Sequence, residues 1–592
     1  MRIVIEKNVP ATMRDGVILH ANVYRPDVSG PYPVLLTRTP YGKDMAATFV
    51  LDPVRMAEAG YIVVVQDVRG RFASQGDYGN NDQEFTDGFD TVQWAAQLPD
   101  TTGAVGMFGA SYYGFTQWAA AVMHPPALKA LAPLIAYADH WEGPVYRAGA
   151  FEWGLIGSWQ LAMAAQDLAR RQATDPQFPL LFAGIFHDLD RMGQEGYWEL
   201  PIDTFAPLEK VGMHFLSEQV SHDTYDDYWR ALSVRGRLKE LTIPALHIGG
   251  WYDVFIDSTL RSFREMRDAG QEARLIIGPW THLNQSGAVG ALDFGSAASL
   301  GFLGLQDDVN ALHRKWFDWQ LKGSQAPDVQ AFAQLPPVRI FTMGDNRWQF
   351  AQDWPLPQTT YTPVYLHSGG HANTASGNGF LSFAMDDGRQ SAVPAIEDRG
   401  YAMNSDVDHF VYDPANPVLT TGGNLLMSAA FPTGPQDQAH VEERDDVLVY
   451  TSDVLTSDVE VTGPVKVKLW VSTNVPDTDF VARLCDVHPD GRSYNIADGI
   501  IRLRYRDSLS EPTLVKPGQV YAIDIDCWAT SNVFKAGHRM RVVITSSSFP
   551  RWSRNLNTGE SSERTQAAVA AQQSVYHDRE HPSHILLPII PK

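Results

Sequence analysis

The chain has 592 residues, 44% hydrophobic and 20% charged, with a net charge of −22 and a sequence pI near 5.2. That length exceeds a single hydrophobic core and asks for roughly two to four domains. The acidic balance argues against nucleic acid and anionic membranes as partners, and no apolar run approaches the roughly 20 residues that span a bilayer. The two cysteines, Cys485 and Cys527, fall in strand-like segments and read as small buried hydrophobes rather than a disulfide framework. The opening Met1-Arg-Ile-Val-Ile-Glu-Lys lacks the apolar stretch of a signal peptide, so a cytoplasmic location is the expectation.

Taken in chain order, residues 32–138 alternate strands and helices. Val34-Leu35-Leu36 and Tyr61 to Val65 are short continuous apolar runs, as expected of parallel strands covered on both faces. A helix follows, with Phe85, Phe89, Val92 and Ala96 on one face. Residues 139–240 interrupt the alternation. They are rich in Trp, Phe, Met and Leu at helical spacing, including Trp141, Trp153, Trp159, Trp198 and Trp229. A helical insertion between sheet strands is placed to cap a site at the sheet's edge. The strand pattern resumes at Ala245–Gly249 and Leu275–Gly278, with a helix between them from about Asp257 to Ala269, and Asp257 reads as its cap.

Beyond about residue 345 the period changes to two. Val465-Lys-Val-Lys-Leu, Ile501-Arg-Leu-Arg-Tyr-Arg and Tyr521-Ala-Ile-Asp-Ile-Asp-Cys read as antiparallel strands with one wet face. Ser368-Gly-Gly-His-Ala-Asn-Thr-Ala-Ser-Gly-Asn-Gly reads as a flexible loop. His367 and His371 beside it read as solvated rather than as metal ligands. The fold class expected is α/β. Its core spans residues 1–138 and 241–345, a helical cap spans 139–240, and a β-sandwich or jelly roll spans 346–592.

Gly109-Ala110-Ser111-Tyr112-Tyr113-Gly114 carries the chemistry. It lies between the apolar run Val105–Phe108 and a helical run, Tyr113 to Met123, that stops at Pro125-Pro126. Strand, glycine, serine, helix is the layout of a nucleophile elbow, which lifts a serine hydroxyl above a parallel sheet at a helix N-terminus. A serine needs a histidine to take its proton and a carboxylate to orient that histidine. In this fold they follow in the order Ser, Asp/Glu, His on loops after strands. The chain supplies Ser111, then Asp253 after the strand Ala245–Gly249, then His282 after Leu275–Gly278. His247, within a strand, reads as a packed core histidine. One oxyanion donor is the backbone N–H of Tyr112. The loop Arg38-Thr-Pro-Tyr41-Gly-Lys43 lacks His-Gly-Gly, and Tyr41 reads there either as a phenolic donor or as an aromatic plug.

With those residues in hand, the chain resembles the cocaine esterase and X-prolyl dipeptidyl-peptidase family of α/β-hydrolases. The resemblance spans nearly the whole length. It rests on Arg38-Thr-Pro-Tyr41-Gly, on Gln66-Asp67-Val-Arg69-Gly70 with Ser74-x-Gly76, and on Gly109-x-Ser111-Tyr112-x-Gly114. It rests further on Gly249-Gly-Trp251-x-Asp253, Gly278-Pro-Trp280-x-His282 and Ser548-Phe-Pro-Arg551-Trp-x-Arg554-Asn-x-Asn557-Thr-Gly. It implies a triad of Ser111, Asp253 and His282 and an oxyanion hole from Tyr41 and Tyr112. It also implies a hydrolase core, cap and jelly roll, with the segment Arg551 to Gly559 packing the jelly roll against the core. Length and domain plan are similar to the cocaine esterase branch. Phe255 and Trp159 are then candidate pocket walls, with core packing the alternative for each. Asp139, Glu142 and Glu152 are candidate amine readers, with solvated cap charges the alternative.

The expected activity is hydrolysis of a carboxylic ester through an acyl-serine. The alternatives are amide or X-prolyl dipeptide cleavage with the same triad, and a non-catalytic ligand-binding protein on the same scaffold. No cofactor and no metal is expected. The expected partner is a small-molecule ester or amide, with a homodimer left open.

Overall fold

The computed structural model describes residues 2–46, 50–79, 81–172, 175–385 and 406–591. Its first sheet has ten strands. They are β1 (Ile3–Thr12), β2 (Ile18–Pro26), β3 (Tyr32–Thr39), β4 (Ile62–Asp67), β5 (Thr101–Ala110), β6 (Leu128–Leu134), β7 (Ala245–Tyr252), β8 (Ala273–Thr281), β9 (Val338–Thr342) and β10 (Arg347–Ala351). Side by side they run β1-β2-β4-β3-β5-β6-β7-β8-β9-β10. Strands β3 to β9 are mutually parallel. β2 joins that block antiparallel and pairs antiparallel with β1, and β10 closes the far edge antiparallel to β9. β4, β7 and β8 are buried at every residue, which is why the sequence shows them as unbroken apolar runs.

The helix expected near Phe85 spans Gln83–Ala95 and buries Phe85, Val92 and Ala95. Phe89 is only half-buried, under the Arg14 guanidinium 5.4 Å from its ring centre. Polar residues take part of the buried face, Glu84 and Asp87 among them. The helix after β7 spans Ile256–Asp268, with Phe255 at the cap position. Asp257 therefore does not cap it; it lies in the first turn and pairs with Arg261 at 2.8 Å, one turn on.

The insertion after β6 has its own core around Trp141, Trp153 and Trp229, all fully buried. Its long helix, Trp153–Arg170, hangs over the C-terminal ends of the sheet strands: Gln166 accepts from Arg71 at 2.6 Å, and Trp159 reaches Tyr41. Among the described residues the C-terminal region is an eleven-stranded, almost wholly antiparallel assembly around a separate core that includes Val467, Leu469, Phe480, Val542 and Ile544. Cys485 and Cys527 are buried free thiols within it.

Three readings of this region change. The strand Ser493–Arg502 ends where alternation was expected to continue, and Leu503–Tyr505 is a 3₁₀ turn. Arg502 is buried rather than wet, because Asp479 at 3.0 Å and Glu563 at 2.9 Å neutralise it inside. Arg504 is held likewise by Asp477 at 2.7 Å. The loop from Ser368 is fastened, not flexible: Ser368 Oγ and the Ala372 N–H both donate to Asp408, at 2.7 and 2.8 Å. His367 is buried against Phe380, with ring centres 5.1 Å apart, rather than solvated.

The segment beginning at Arg551 meets the insertion. Gly154 N donates to Arg551 O at 3.1 Å, Ser553 N to Phe151 O at 2.8 Å, and the Trp552 indole to Glu152 at 3.0 Å.

His247 sits within β7 between Trp118 and Phe263, and its Nε2 has no hydrogen-bond partner among the described residues. Burial pushes its pKa down to about 3, against about 6.5 in an unfolded chain. Between those values the unfolded chain binds a proton that the folded one refuses. The stability from keeping His247 neutral is thus complete above about pH 6.5 and is lost as pH falls toward 3. His247→Phe should match or exceed the wild type in urea midpoint at pH 8, and its advantage should widen steadily from pH 6.5 to pH 4. An advantage that does not change with pH would show that His247 is not held neutral.

Candidate active site

Three strand ends converge. β5 ends at Ala110, β7 at Tyr252 and β8 at Thr281, and the next residues are Ser111, Asp253 and His282. Ser111 stands at φ 57° and ψ −125°, in the left-handed half of backbone space that non-glycine residues seldom occupy. Its N–H donates to Leu134 O on β6 at 3.0 Å, and the helix Tyr112–Ala121 starts directly after it.

The imidazole of His282 joins the other two side chains. Its Nδ1 lies 2.6 Å from Asp253 Oδ1 and its Nε2 2.9 Å from Ser111 Oγ. A carboxylate only accepts, so Nδ1 carries the proton and Nε2 is left to accept from the serine hydroxyl. Asp253 is wholly buried, and its second oxygen accepts from Phe255 N at 3.1 Å. The Asp253 loop is pinned from outside the sheet: Asn424 Nδ2 donates to Trp251 O at 2.8 Å and to Asp253 O at 3.0 Å. The Phe255 ring meets His282 edge-on at 5.2 Å.

Tyr41 presents its phenol on the other side of Ser111. The Trp159 indole donates to its oxygen at 3.1 Å, which leaves the phenolic proton free to be given elsewhere. Burial pushes the Tyr41 phenol up to about 12, opposed by its hydrogen bonds to Trp159 and Ser111 and by the Arg71 charge, so it stays a donor at ordinary pH. The N–H of Tyr112, in the first turn of its helix, is one of the amides a helix leaves without an internal partner. Buried charges hold these loops. Arg38 pairs with Glu84 at 2.6 Å, and the Tyr112 phenol donates to the same carboxylate at 3.0 Å. Lys43 pairs with Asp67 at 2.9 Å, and Arg71 donates to Pro40 O at 3.1 Å.

A cavity of about 50 Å³ opens beside Ser111, lined by Tyr41, Tyr112, Tyr137, Trp159 and Phe255, by Asn81, His140 and Gln219, and by aliphatic side chains including Leu155, Ile156 and Leu426. No described residue lining it is a carboxylate. None of the candidate amine readers lines it, and Asp139 and Glu152 are buried while Glu142 is half-buried. Asp139 accepts from Ser233 at 2.6 Å and Tyr225 at 2.9 Å. Glu142 accepts from Ala148 N at 3.2 Å, and Glu152 from the Trp552 indole at 3.0 Å. Sequence reasoning had not singled out Glu84, Asn424, Asn81 or His140. Among the described residues one group of His and carboxylate side chains is spaced to hold a metal ion: Asp486, His488 and His538, at adjacent ends of two paired strands of the C-terminal assembly, and none of them lines this cavity.

Comparison with known proteins matches residues 15–284 to the X-Pro dipeptidyl-peptidase (S15) family, and residues 330–586 to the X-Pro dipeptidyl-peptidase C-terminal non-catalytic domain. The chain is 40% identical to the cocaine esterase of Rhodococcus sp. (strain MB1 Bresler) over 99% of this chain and 98% of that protein. It superposes on an aminopeptidase from a marine sediment Thaumarchaeota archaeon with a TM-score of 0.78 at 25% identity, covering 100% of this chain and 96% of that one. On an α-amino acid ester hydrolase the TM-score is 0.75 at 26% identity, covering 99% and 96%.

The glycine three residues after Ser111, rather than two, has a packing reason. A Cβ at Gly114 would stand 2.5 Å from the Cβ of Ala136, just past β6. Gly114→Ala should therefore cost about 1–3 kcal/mol in urea unfolding, as overpacking does. Adding Ala136→Gly should restore most of it. No recovery in the double variant would place the cost elsewhere.

Proposed function

This chain belongs to the cocaine esterase and X-Pro dipeptidyl-peptidase (S15) family of α/β-hydrolases, and we propose that it hydrolyses carboxylic esters through an acyl-Ser111 intermediate. Ser111 Oγ attacks the ester carbonyl while His282 Nε2, 2.9 Å away, takes its proton. Asp253 holds the imidazole in the tautomer this needs and stabilises the imidazolium that forms. The Tyr41 phenol and the Tyr112 N–H receive the oxyanion. His282 then protonates the leaving alcohol and, in the second half, activates water against the acyl-enzyme.

The observation that carries ester over dipeptide cleavage is the uncharged cavity beside Ser111. Release of an N-terminal dipeptide calls for an anchored substrate ammonium. Asp139, Glu142 and Glu152, the carboxylates nearest to that task in the sequence, are spent on the fold. The near full-length identity to a cocaine esterase supports the same reading.

Initial rates on p-nitrophenyl butyrate and Ala-Pro-p-nitroanilide test it. Ester turnover should dominate, and Ser111→Ala should lower kcat on the order of 10⁶-fold, as for a triad acting as a unit. Preferred anilide cleavage would make the protein a peptidase. Tyr41→Phe should cost about 10²–10³ in kcat, one oxyanion donor's worth. Trp159→Phe should cost about tenfold, the scale of one hydrogen bond. It should add little in a Tyr41→Phe background if it acts by polarising that phenol; full additivity would show that it acts on substrate directly.

A further inference from the structure

Asn81 and His140 stand together in the cavity wall, and the hydrogen bonds of the pair can be assigned without ambiguity. His140 Nδ1 lies 3.1 Å from the Leu232 carbonyl, which can only accept, so Nδ1 carries the proton. His140 is buried, and burial pushes it down to about 4, so it stays neutral and its Nε2 is a bare acceptor. Asn81 Nδ2 donates to that Nε2 at 2.6 Å. The amide is thereby oriented. Flipping it would set Oδ1 against a lone pair.

The consequence falls on the other end of the amide. Asn81 is 8% exposed and is among the residues that line the Ser111 cavity; its Oδ1 is covered and has no hydrogen-bond partner among the described residues, so a donor on the substrate meets it as the side chains around the cavity part to admit that substrate. A buried carbonyl oxygen left unpaired is costly, and the cost is recovered by whatever donates to it. The backbone fixes its position as well. Asn81 sits at φ 74°, a conformation asparagine tolerates better than most residues, and its carbonyl accepts from Glu84 N at 3.1 Å as the next helix begins.

The donor it suits is uncharged. A neutral amide oxygen beside a neutral imidazole does not offset the desolvation of an ammonium, and the cavity's described lining supplies no carboxylate to do so. An alcohol O–H or a secondary amide N–H meets the oxygen with nothing left unpaired.

We propose that Asn81 Oδ1 is a specificity subsite for an uncharged hydrogen-bond donor, so that the preferred substrates are esters whose acyl group carries a hydroxyl or an amide N–H. This rests on the reading of Ser111 as the nucleophile of an ester hydrolase. It names the substrate class of that site and accounts for a polar pair in a mainly aromatic and aliphatic wall.

The test compares p-nitrophenyl esters with one leaving group and different acyl chains: butyrate, 2-hydroxybutyrate, 3-hydroxybutyrate and N-acetylglycinate. Each kcat/KM is divided by the ester's rate of alkaline hydrolysis. At least one donor-bearing ester should exceed butyrate by about tenfold in the wild type, the scale of one hydrogen bond. In Asn81→Leu that ratio should fall to about one, whatever the change in the absolute rates, and the urea midpoint together with fluorophosphonate labelling of Ser111 serves as the folding control. Equal corrected rates in the wild type, or a preference that survives in Asn81→Leu, would overturn the proposal. If Asn81→Leu fails to fold, Asn81→Ala is read in the same way. A second readout needs no turnover: 3-hydroxybutyramide should protect Ser111 from a fluorophosphonate about tenfold better than butyramide, and Asn81→Leu should abolish the difference. Protection that keeps this preference while no ester is turned over would sink the esterase reading and leave the subsite standing. Equal protection with brisk ester turnover would do the reverse.

Discussion

The site depends on one backbone conformation, that of Ser111 at φ 57° and ψ −125°. A non-glycine residue there costs roughly 1–3 kcal/mol and persists only where its surroundings over-determine it. They do so here. The Ser111 N–H is tied across to β6, Gly109 at φ 146° leaves no room for a side chain under Tyr113, and Gly114 lets the helix lie against Ala136. The turn aims the hydroxyl out of the sheet and starts a helix under it, whose N-terminal amides favour negative charge at that point. Sheet order supplies the rest. Because β5, β6, β7 and β8 are adjacent and parallel, the residues that follow β7 and β8 come up on the same side as the elbow.

Around that turn, buried charges act as positioning devices. Glu84 is the hub: burial pushes its carboxyl up, Arg38 and Tyr112 pull it down, and the three together join the strand before Tyr41 to the helix after Ser111. Such pairs contribute little net stability, but losing one partner strands a charge in the interior. Their value is geometric, since both expected oxyanion donors belong to segments that Glu84 and its partners tie together. The other two regions of the chain also reach the site. Trp159 comes from the insertion, and Asn424 and Leu426 come from the C-terminal half. The segment from Arg551 binds that half to the insertion, so the cavity wall is shared among three parts of the sequence.

What could be read from the sequence followed from periodicity and from turn chemistry. Unbroken apolar runs at Val34, Tyr61, Ala245 and Leu275 gave strands because both faces of the sheet are covered, and the glycines around Ser111 gave the elbow because only small residues fit it. Charge inside the protein was less legible. Arg502 and Arg504 looked like a wet strand face, yet carboxylates some 25 to 60 residues away in the chain pair with them, Arg502 buried and Arg504 half-buried. Asp257 looked like a cap because aspartate at a helix start usually is one, but Arg261 one turn on claims it. Asp139 and Glu152 looked like solvated cap charges, and their partners come from remote segments. Local pattern carries no information about partners brought in by the fold. Asn81 is the sharpest case, because nothing at residues 79–84 announces His140.

The chemistry of the cavity follows from the same exclusion of water. Burial holds Tyr41 as a phenol up to about 12 and His140 as a neutral imidazole down to about 4, so neither changes charge near neutral pH. In the proposed reaction an oxyanion at Ser111 is then the principal new negative charge in a low-dielectric pocket, and preorganised donors are worth far more there than in water. The Trp159–Tyr41 hydrogen bond adds to this, since a donor whose own oxygen is already accepting gives its proton more strongly. An ester, which enters neutral and gives a neutral alcohol and a neutral acyl-enzyme in the first half of the proposed reaction, asks this pocket to stabilise only that transient charge on the way. A peptide with a free amine would bring a permanent one, for which the described walls offer the neutral oxygen of Asn81 and little else.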